Sequence, residues 1–242
     1  MTGDMKYRAA VLRQLIGPDP GAAETFTDLL GRVCWVAAQE LTASGVAVSV
    51  LTDDGGRSLS AASDGASERL EELQFTLGEG PCLDAYGARR PVLIADLSPP
   101  VPVGWPIYAS AAYQEGVRAI FAFPLQIGAA RLGAVDVFRQ RPGSLTPAEL
   151  ETALLVADIT VEVLLDRQDH LNRRGSADGL VPDVGNRAQL FQAQGMVMVQ
   201  LGVSLEEAMS RMRAFAFAEN QRLDDVARDI VDRRLTLAPD TA

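Results

Sequence analysis

The stretch from Asn186 to Leu237 constrains the fold most, because start and stop signals cut it into three short amphipathic helices. The first runs from about Arg187 to Leu201, with Leu190, Phe191, Val197 and Leu201 as apolar contacts and Gly202 placed to end it in a left-handed conformation. The second opens on Ser204, where Ser204-Leu205-Glu206-Glu207 has the form of a capping box. From there Leu205, Ala208, Met209, Met212 and Phe215 or Ala216 return to one helical face. The pattern breaks at Glu219-Asn220-Gln221. Leu223, Val226, Ala227, Ile230 and Val231 then mark the buried stripe of a third helix, with Asp224 and Asp225 at the end where the helix dipole favours negative charge. Three such helices make a small bundle, too small a unit for an enzyme.

Within the bundle, Gln192-Ala193-Gln194-Gly195-Met196-Val197-Met198, Glu207-Ala208, Arg213-Ala214-Phe215-Ala216, Arg222-Leu223 and Val226-Ala227 resemble the ANTAR family, over nearly all of Arg187 to Leu235. The resemblance implies an RNA-binding output module of bacterial transcription antitermination, with stem-loops in nascent transcripts as its partner. Gln194 stands where a Lys is frequent between the Ala and the Gly, and Phe215 and Phe217 flank Ala216 where polar or basic residues are frequent. The side chains available for RNA are Gln194, Arg211, Arg213, Arg222, Arg228, Arg233 and Arg234. Ala193, Gly195, Ala208 and Ala227 are expected to act through packing. A glycine inside a helix is unfavourable, so Gly195 asks for a close contact with protein or RNA.

Charge complicates that reading. The net charge is -10 and the pI about 4.6, whereas nucleic-acid-binding domains usually carry a basic patch. The acidity belongs to the front of the chain: residues 1–186 hold fifteen basic and twenty-four acidic side chains, while 187–235 hold seven Arg against seven Asp and Glu. A neutral bundle can still present one basic face, and an ordinary solvated helix surface is the competing reading for each Arg.

The remaining length, within a chain of 242 residues that is 48% hydrophobic, suffices for a second, larger core. No apolar run reaches the roughly eighteen residues of a membrane span, and no apolar signal core follows Met1-Thr2-Gly3-Asp4-Met5-Lys6, so a cytoplasmic protein is expected. Cys34 and Cys82 show neither metal-ligand spacing nor a disulfide framework, and no metal site or catalytic set is expected from them. Lys6 is the only lysine against twenty-one Arg, which excludes a P-loop Lys and disfavours a Schiff-base Lys or a phosphoacceptor receiver.

Residues 24–170 have an α+β pattern. A helix over Glu24 to Leu41 places Phe26, Leu29, Leu30, Val33 and Val36 or Ala37 on one side and leads into a strand at Val46 to Leu51. Asp53-Asp54-Gly55-Gly56 turns the chain into a return strand, Leu59 to Ala62. A helix over Ser67 to Phe75 and a short strand at Val92 to Ala95 follow. Ala119 to Gln126 and Leu132 to Phe138 form an antiparallel hairpin around Gly128, and Thr146-Pro147-Ala148-Glu149 starts a long closing helix. A further helix over residues 1–16, carrying Tyr7, Val11, Leu12, Leu15 and Ile16, ends at Gly17-Pro18-Asp19-Pro20.

Three stretches make this front part resemble the GAF family: Leu77-Gly78-Glu79-Gly80-Pro81-Cys82-Leu83-Asp84-Ala85, Arg90 to Leu97, and Gly133-Ala134-Val135-Asp136-Val137-Phe138. The resemblance implies an antiparallel sheet flanked by helices that binds a small molecule or dimerises, followed here by the three-helix ANTAR bundle. That pairing is familiar in actinobacteria, and the Arg-rich, Lys-poor composition fits a high-GC genome. The expected domains are an N-terminal helical extension (1–20), a sensor (21–170), a flexible linker (171–185) and the RNA-binding bundle (186–238).

Candidate ligand contacts are Cys82, Asp96, Phe121 and Asp136, with no cofactor identified. Cys82 follows Gly80-Pro81 near a helix start, where the dipole can lower a thiol pKa; a small buried core residue is the plainer alternative. Asp96 and Asp136 read as isolated carboxylates that cap turns, and Gly78 and Gly80 as turn glycines. His170, the only histidine, lies at a helix end, which disfavours His-ligated haem. A signal-responsive RNA-binding regulator acting as a homodimer is therefore expected. The alternatives are a protein-interaction module and, less favoured, a GAF-type free methionine sulfoxide reductase using Cys82.

Overall fold

The computed structural model describes residues 3–17, 25–51, 57–99, 104–173 and 184–238. The turns expected at 53–56 and 18–20, and most of the expected linker, lie outside the described residues.

Among the described residues the front part is built on a five-stranded antiparallel sheet in the order β2-β1-β5-β4-β3. Its strands are β1 (Gly45–Leu51), β2 (Arg57–Ala62), β3 (Val92–Ile94), β4 (Ala119–Ile127) and β5 (Ala130–Arg139). The hairpin around Gly128 is present, with that glycine at φ 55°. β1 lies between β2 and β5, so the central pair joins segments some ninety residues apart, Ala47 opposite Asp136.

Helices cover both faces of the sheet, which is why β1 is buried at every position instead of alternating. One face packs on α1 (Gly3–Ile16), α2 (Phe26–Glu40) and α6 (Pro147–Arg173) through Val46, Val48, Phe121, Phe123, Val135 and Val137. α1 joins that core with Ala9, Leu12 and Ile16, and Arg13 is bonded by two nitrogens to Glu162 of α6 (2.7 and 2.8 Å). The start of α6 is as its sequence indicates: Thr146 N–H donates to Glu149 Oε2 (2.7 Å) and Glu149 N–H to Thr146 Oγ1 (3.2 Å).

The opposite face carries α3 (Gly65–Leu77), α4 (Pro81–Ala88) and α5 (Pro106–Gln114). α5 is not legible from periodicity, because its apolar and small residues surround the helix.

The C-terminal bundle consists of α7 (Val184–Leu201), α8 (Leu205–Ala218) and α9 (Leu223–Val231) around Leu190, Ala193, Val197, Ala208, Met212, Ala216, Leu223, Val226, Ala227 and Ile230. Gly202 is left-handed at φ 66°, as expected. Two expectations are corrected and one is narrowed. Phe191 and Leu205 are exposed instead of packed. Only half of the expected capping box forms: Ser204 Oγ accepts from Glu207 N–H at 3.1 Å, while the Glu207 carboxylate accepts from Arg211, one turn along. A Cβ on Gly195 would meet nothing within 4 Å, so no close protein contact accounts for that glycine.

The bundle is docked on the front domain. Phe75 of α3 inserts into the bundle core beside its own buried residues, and α8 packs along α3.

Candidate functional site

Leu77 to Ala85, the most glycine-rich of the recognisable stretches, is a junction at which three helices meet. Gly78 ends α3 in the left-handed conformation (φ 70°), its N–H bonded to Gln74 O. Glu79 Oε1 accepts from the N–H groups of Ile107 and Tyr108 (2.9 Å each), satisfying the first turn of α5, which has no side-chain cap of its own. At Gly80 a Cβ would collide with the Gln74 side chain, so this position must stay bare for Gln74 to pass. Pro81 then starts α4, whose buried first-turn N–H at Cys82 donates to Gln74 Oε1 (2.8 Å).

Gln74 is therefore a hub. Its Nε2 donates to Glu71 Oε2 (2.9 Å) and to Asp136 Oδ2 (2.5 Å), and Ser49 Oγ of β1 donates to Glu71 Oε1 (2.5 Å). Glu71, Cys82 and Asp136 are all buried, and their candidate donor atoms lie within 4.8 Å of one another. Burial, and then the neighbouring Glu71, hold the Asp136 carboxyl well above the usual carboxylate range, while the Gln74 amide acts in the opposite direction. Asp136 Oδ1 and the Tyr108 hydroxyl are buried without a hydrogen-bond partner. Burial raises the Tyr108 phenol, and the charges of Asp136, Glu71 and Cys82 add to that shift. The cluster thus concentrates acidic groups where protons or a cation must neutralise them.

Of the four expected ligand contacts, the structure brings together only Cys82 and Asp136. Asp136 is not a turn cap but sits mid-strand on the inner face of β5, 1% exposed. Phe121 pairs with Val137 on the opposite face of the sheet, inside the α2–α6 core, because strand side chains alternate. Asp96 is solvent-exposed in a turn-capping role, its pKa lowered by the Ser98 hydroxyl and then by the Ser98 N–H, which donates to it at 2.9 Å. Glu71, Gln74 and Tyr108 went unseen in the sequence, since a glutamate or glutamine on an amphipathic helix ordinarily faces water. Two cavities open nearby: about 390 Å³ between α2, β2 and α3, lined by Thr27, Asp28, Ala61, Glu68 and Glu71, and about 310 Å³ over β3, lined by Asp84, Arg90, Leu93 and Trp105.

The expected RNA contacts divide into three groups. Arg213 lies against Gly78, where a Cβ would collide with its guanidinium, and burial lowers its pKa; its Nε has no partner. Arg222 stands 3.3 Å from Glu72 of α3. Both are thus held at the junction with the front domain. Arg211, Arg228 and Arg234 pair within the bundle to Glu207, Asp225, and Asp229 with Asp232. Gln194 donates to Leu205 O (2.8 Å), and Arg233 is exposed in a left-handed turn (φ 59°).

The family model described as GAF domain matches residues 23–164, and the one described as ANTAR domain matches residues 183–231. The chain belongs to the GAF and ANTAR domain-containing proteins. Its GAF fold is shared with the GAF domain of a phosphoenolpyruvate-protein phosphotransferase from Coxiella burnetii (TM-score 0.51, 16% identity, covering 71% of this chain and 96% of that one). It is shared too with a domain of a protein described as a two-component sensor histidine kinase from Sinorhizobium meliloti (TM-score 0.50, 15% identity, covering 64% and 100%). No curated protein gives a significant match. A GAF sensor joined to an ANTAR module places the chain among RNA-binding antitermination regulators in general kind, and both domains are typically non-catalytic. No helix among the described residues is long and apolar enough to cross a membrane.

Proposed function

We propose that the protein is a cytoplasmic regulator whose GAF domain holds the ANTAR bundle against α3 and releases it, on a signal, to bind stem-loops in nascent transcripts. The observation that carries this reading is the engagement of Arg213 and Arg222, two of the bundle's candidate RNA contacts, by Gly78 and Glu72 of the GAF domain. A cation packed on protein is unavailable to phosphate, so undocking and RNA binding are coupled, each favouring the other. Pairing of two chains on paired loops belongs to the same reading.

The test is titration of stem-loop RNA from the protein's own transcripts with the full chain. Phe75→Ala and Glu72→Gln should bind several-fold more tightly than wild type, Arg213→Ala and Arg222→Ala more weakly than either, and affinity should fall with salt. Equal affinity for all five proteins would sink the masking mechanism.

A second reading has its own support. Arg211, Arg228 and Arg234 are neutralised by acids of the bundle itself while Phe191, Val199, Leu205 and Phe217 are exposed, which suits docking to another protein. Absence of any RNA binding at low salt, in the released variants as well, would favour it.

A further inference from the structure

We propose that Glu71, Cys82 and Asp136 form a binding site for one first-row divalent cation, zinc or iron(II), between α3, β5 and the N-terminus of α4. The three residues come from separate elements, yet their donor atoms lie within 4.8 Å of one another in a fully buried setting. Zinc–oxygen and zinc–sulfur bonds of about 2.0–2.3 Å give donor-to-donor separations approaching 4 Å, so side-chain shifts below an ångström would close the site.

Two further atoms point to an occupant. Asp136 Oδ1 has no partner, and neither has the hydroxyl of Tyr108, a side chain with no exposed surface. A native fold rarely leaves buried polar atoms unpaired.

The donor chemistry selects the ion. Calcium and magnesium take all-oxygen cages, whereas one sulfur with carboxylates suits a borderline cation. Supporting bonds are present: Ser49 and Gln74 each donate to Glu71, and Gln74 also donates to Asp136, fixing the carboxylates while leaving Asp136 Oδ1 open. A carboxyl or thiol group must give up its proton to coordinate a metal, so uptake of the ion would release protons. Glu71 also lines the 390 Å³ cleft beside α2 and β2, which gives the cluster a wall on an open cavity.

One consequence rests on the regulatory reading above. α3 turns Glu71 toward the ion site and presents Glu72 and Phe75 to the bundle, so occupancy would set the stiffness of the helix on which the ANTAR module docks.

The test uses the full chain, purified under reducing conditions, stripped with a chelator and dialysed against zinc(II), anaerobic iron(II), or cobalt(II) as a spectroscopic probe. Wild type should retain one ion per chain, melt at a higher temperature with the ion, and show a thiolate-to-cobalt charge-transfer band. Cys82→Ser should lose the band and Asp136→Asn the retained ion, Gln74→Leu should weaken affinity by about 10- to 100-fold, and Cys34→Ala should behave as wild type. No ion retained by wild type, or a cobalt band that survives in Cys82→Ser, would overturn the site whether or not the variants fold. RNA titration of wild type with and without zinc separates the two claims: uptake without a change in RNA affinity leaves the site standing and removes only its link to the output.

Discussion

At the residue scale, the two cysteines differ in setting although both are buried. Cys34, in α2, donates to Ala61 O (3.4 Å), and burial pushes its thiol up to about 12. A thiol at that value is not ionised at neutral pH and cannot act as a nucleophile. Alkylation of Cys34 in native protein is therefore expected to occur only as fast as the molecule unfolds, with peptide mass mapping as the readout; rapid labelling in buffer would show that the site opens locally. Gly195 yields a second expectation. It lies inside α7 with open space where a Cβ would be, so Gly195→Ala should stabilise the bundle by about 1 kcal/mol in denaturant titration. If the same variant loses RNA affinity, the open space is where RNA approaches; unaltered affinity would leave the glycine without a role in binding.

At the element scale, caps and small residues set the energies. Glu149 caps α6, and the Thr146 N–H, its hydroxyl and Arg139 hold the Glu149 carboxyl below its usual range. A depressed folded-state value means that the stabilisation is complete above the unfolded pKa of about 4.3 and disappears as pH falls through the depressed one. Glu149→Gln should accordingly be less stable than wild type at neutral pH, and the gap should narrow in acid melts below about pH 4; a gap independent of pH would assign the loss to packing instead. In the bundle, Ala193, Ala208 and Ala227 are fully buried where the helices approach, as their small size suggests. Ala208→Leu should cost about 1 to 3 kcal/mol through overpacking, measured as a lower denaturation midpoint.

At the scale of the whole molecule, two of the contacts that join sensor to output differ in size. The Glu72–Arg222 pair is partly solvated, with Arg222 about half exposed, so it contributes at most about 1 kcal/mol. Burying the ring of Phe75 in the bundle core contributes about 1.5 to 3 kcal/mol. Docking should hence survive high salt: amide hydrogen exchange in α3 and α8 should stay slow as ionic strength rises, yet speed up in Phe75→Ala. Loss of protection with salt alone would make the ion pair the clasp and Phe75 a passenger.

What the sequence by itself determined is local. Helix periodicity, Gly202, the Thr146 cap and the strand runs place most elements, because each rests on contacts within a turn or two. The same runs yielded the α+β class and both family resemblances. What only the tertiary structure decided is which side chains meet. Asp136 looked like an isolated carboxylate because Glu71, its partner, is sixty-five residues away and becomes a neighbour only through the pairing of β1 with β5 and the packing of α3. Phe121 looked like a pocket residue because a run of apolar residues in a strand buried on both faces carries no sign of which face each one takes. The packing of Arg213 likewise depends on a bare Gly78 on another domain, a contact with no trace in the periodicity of either helix.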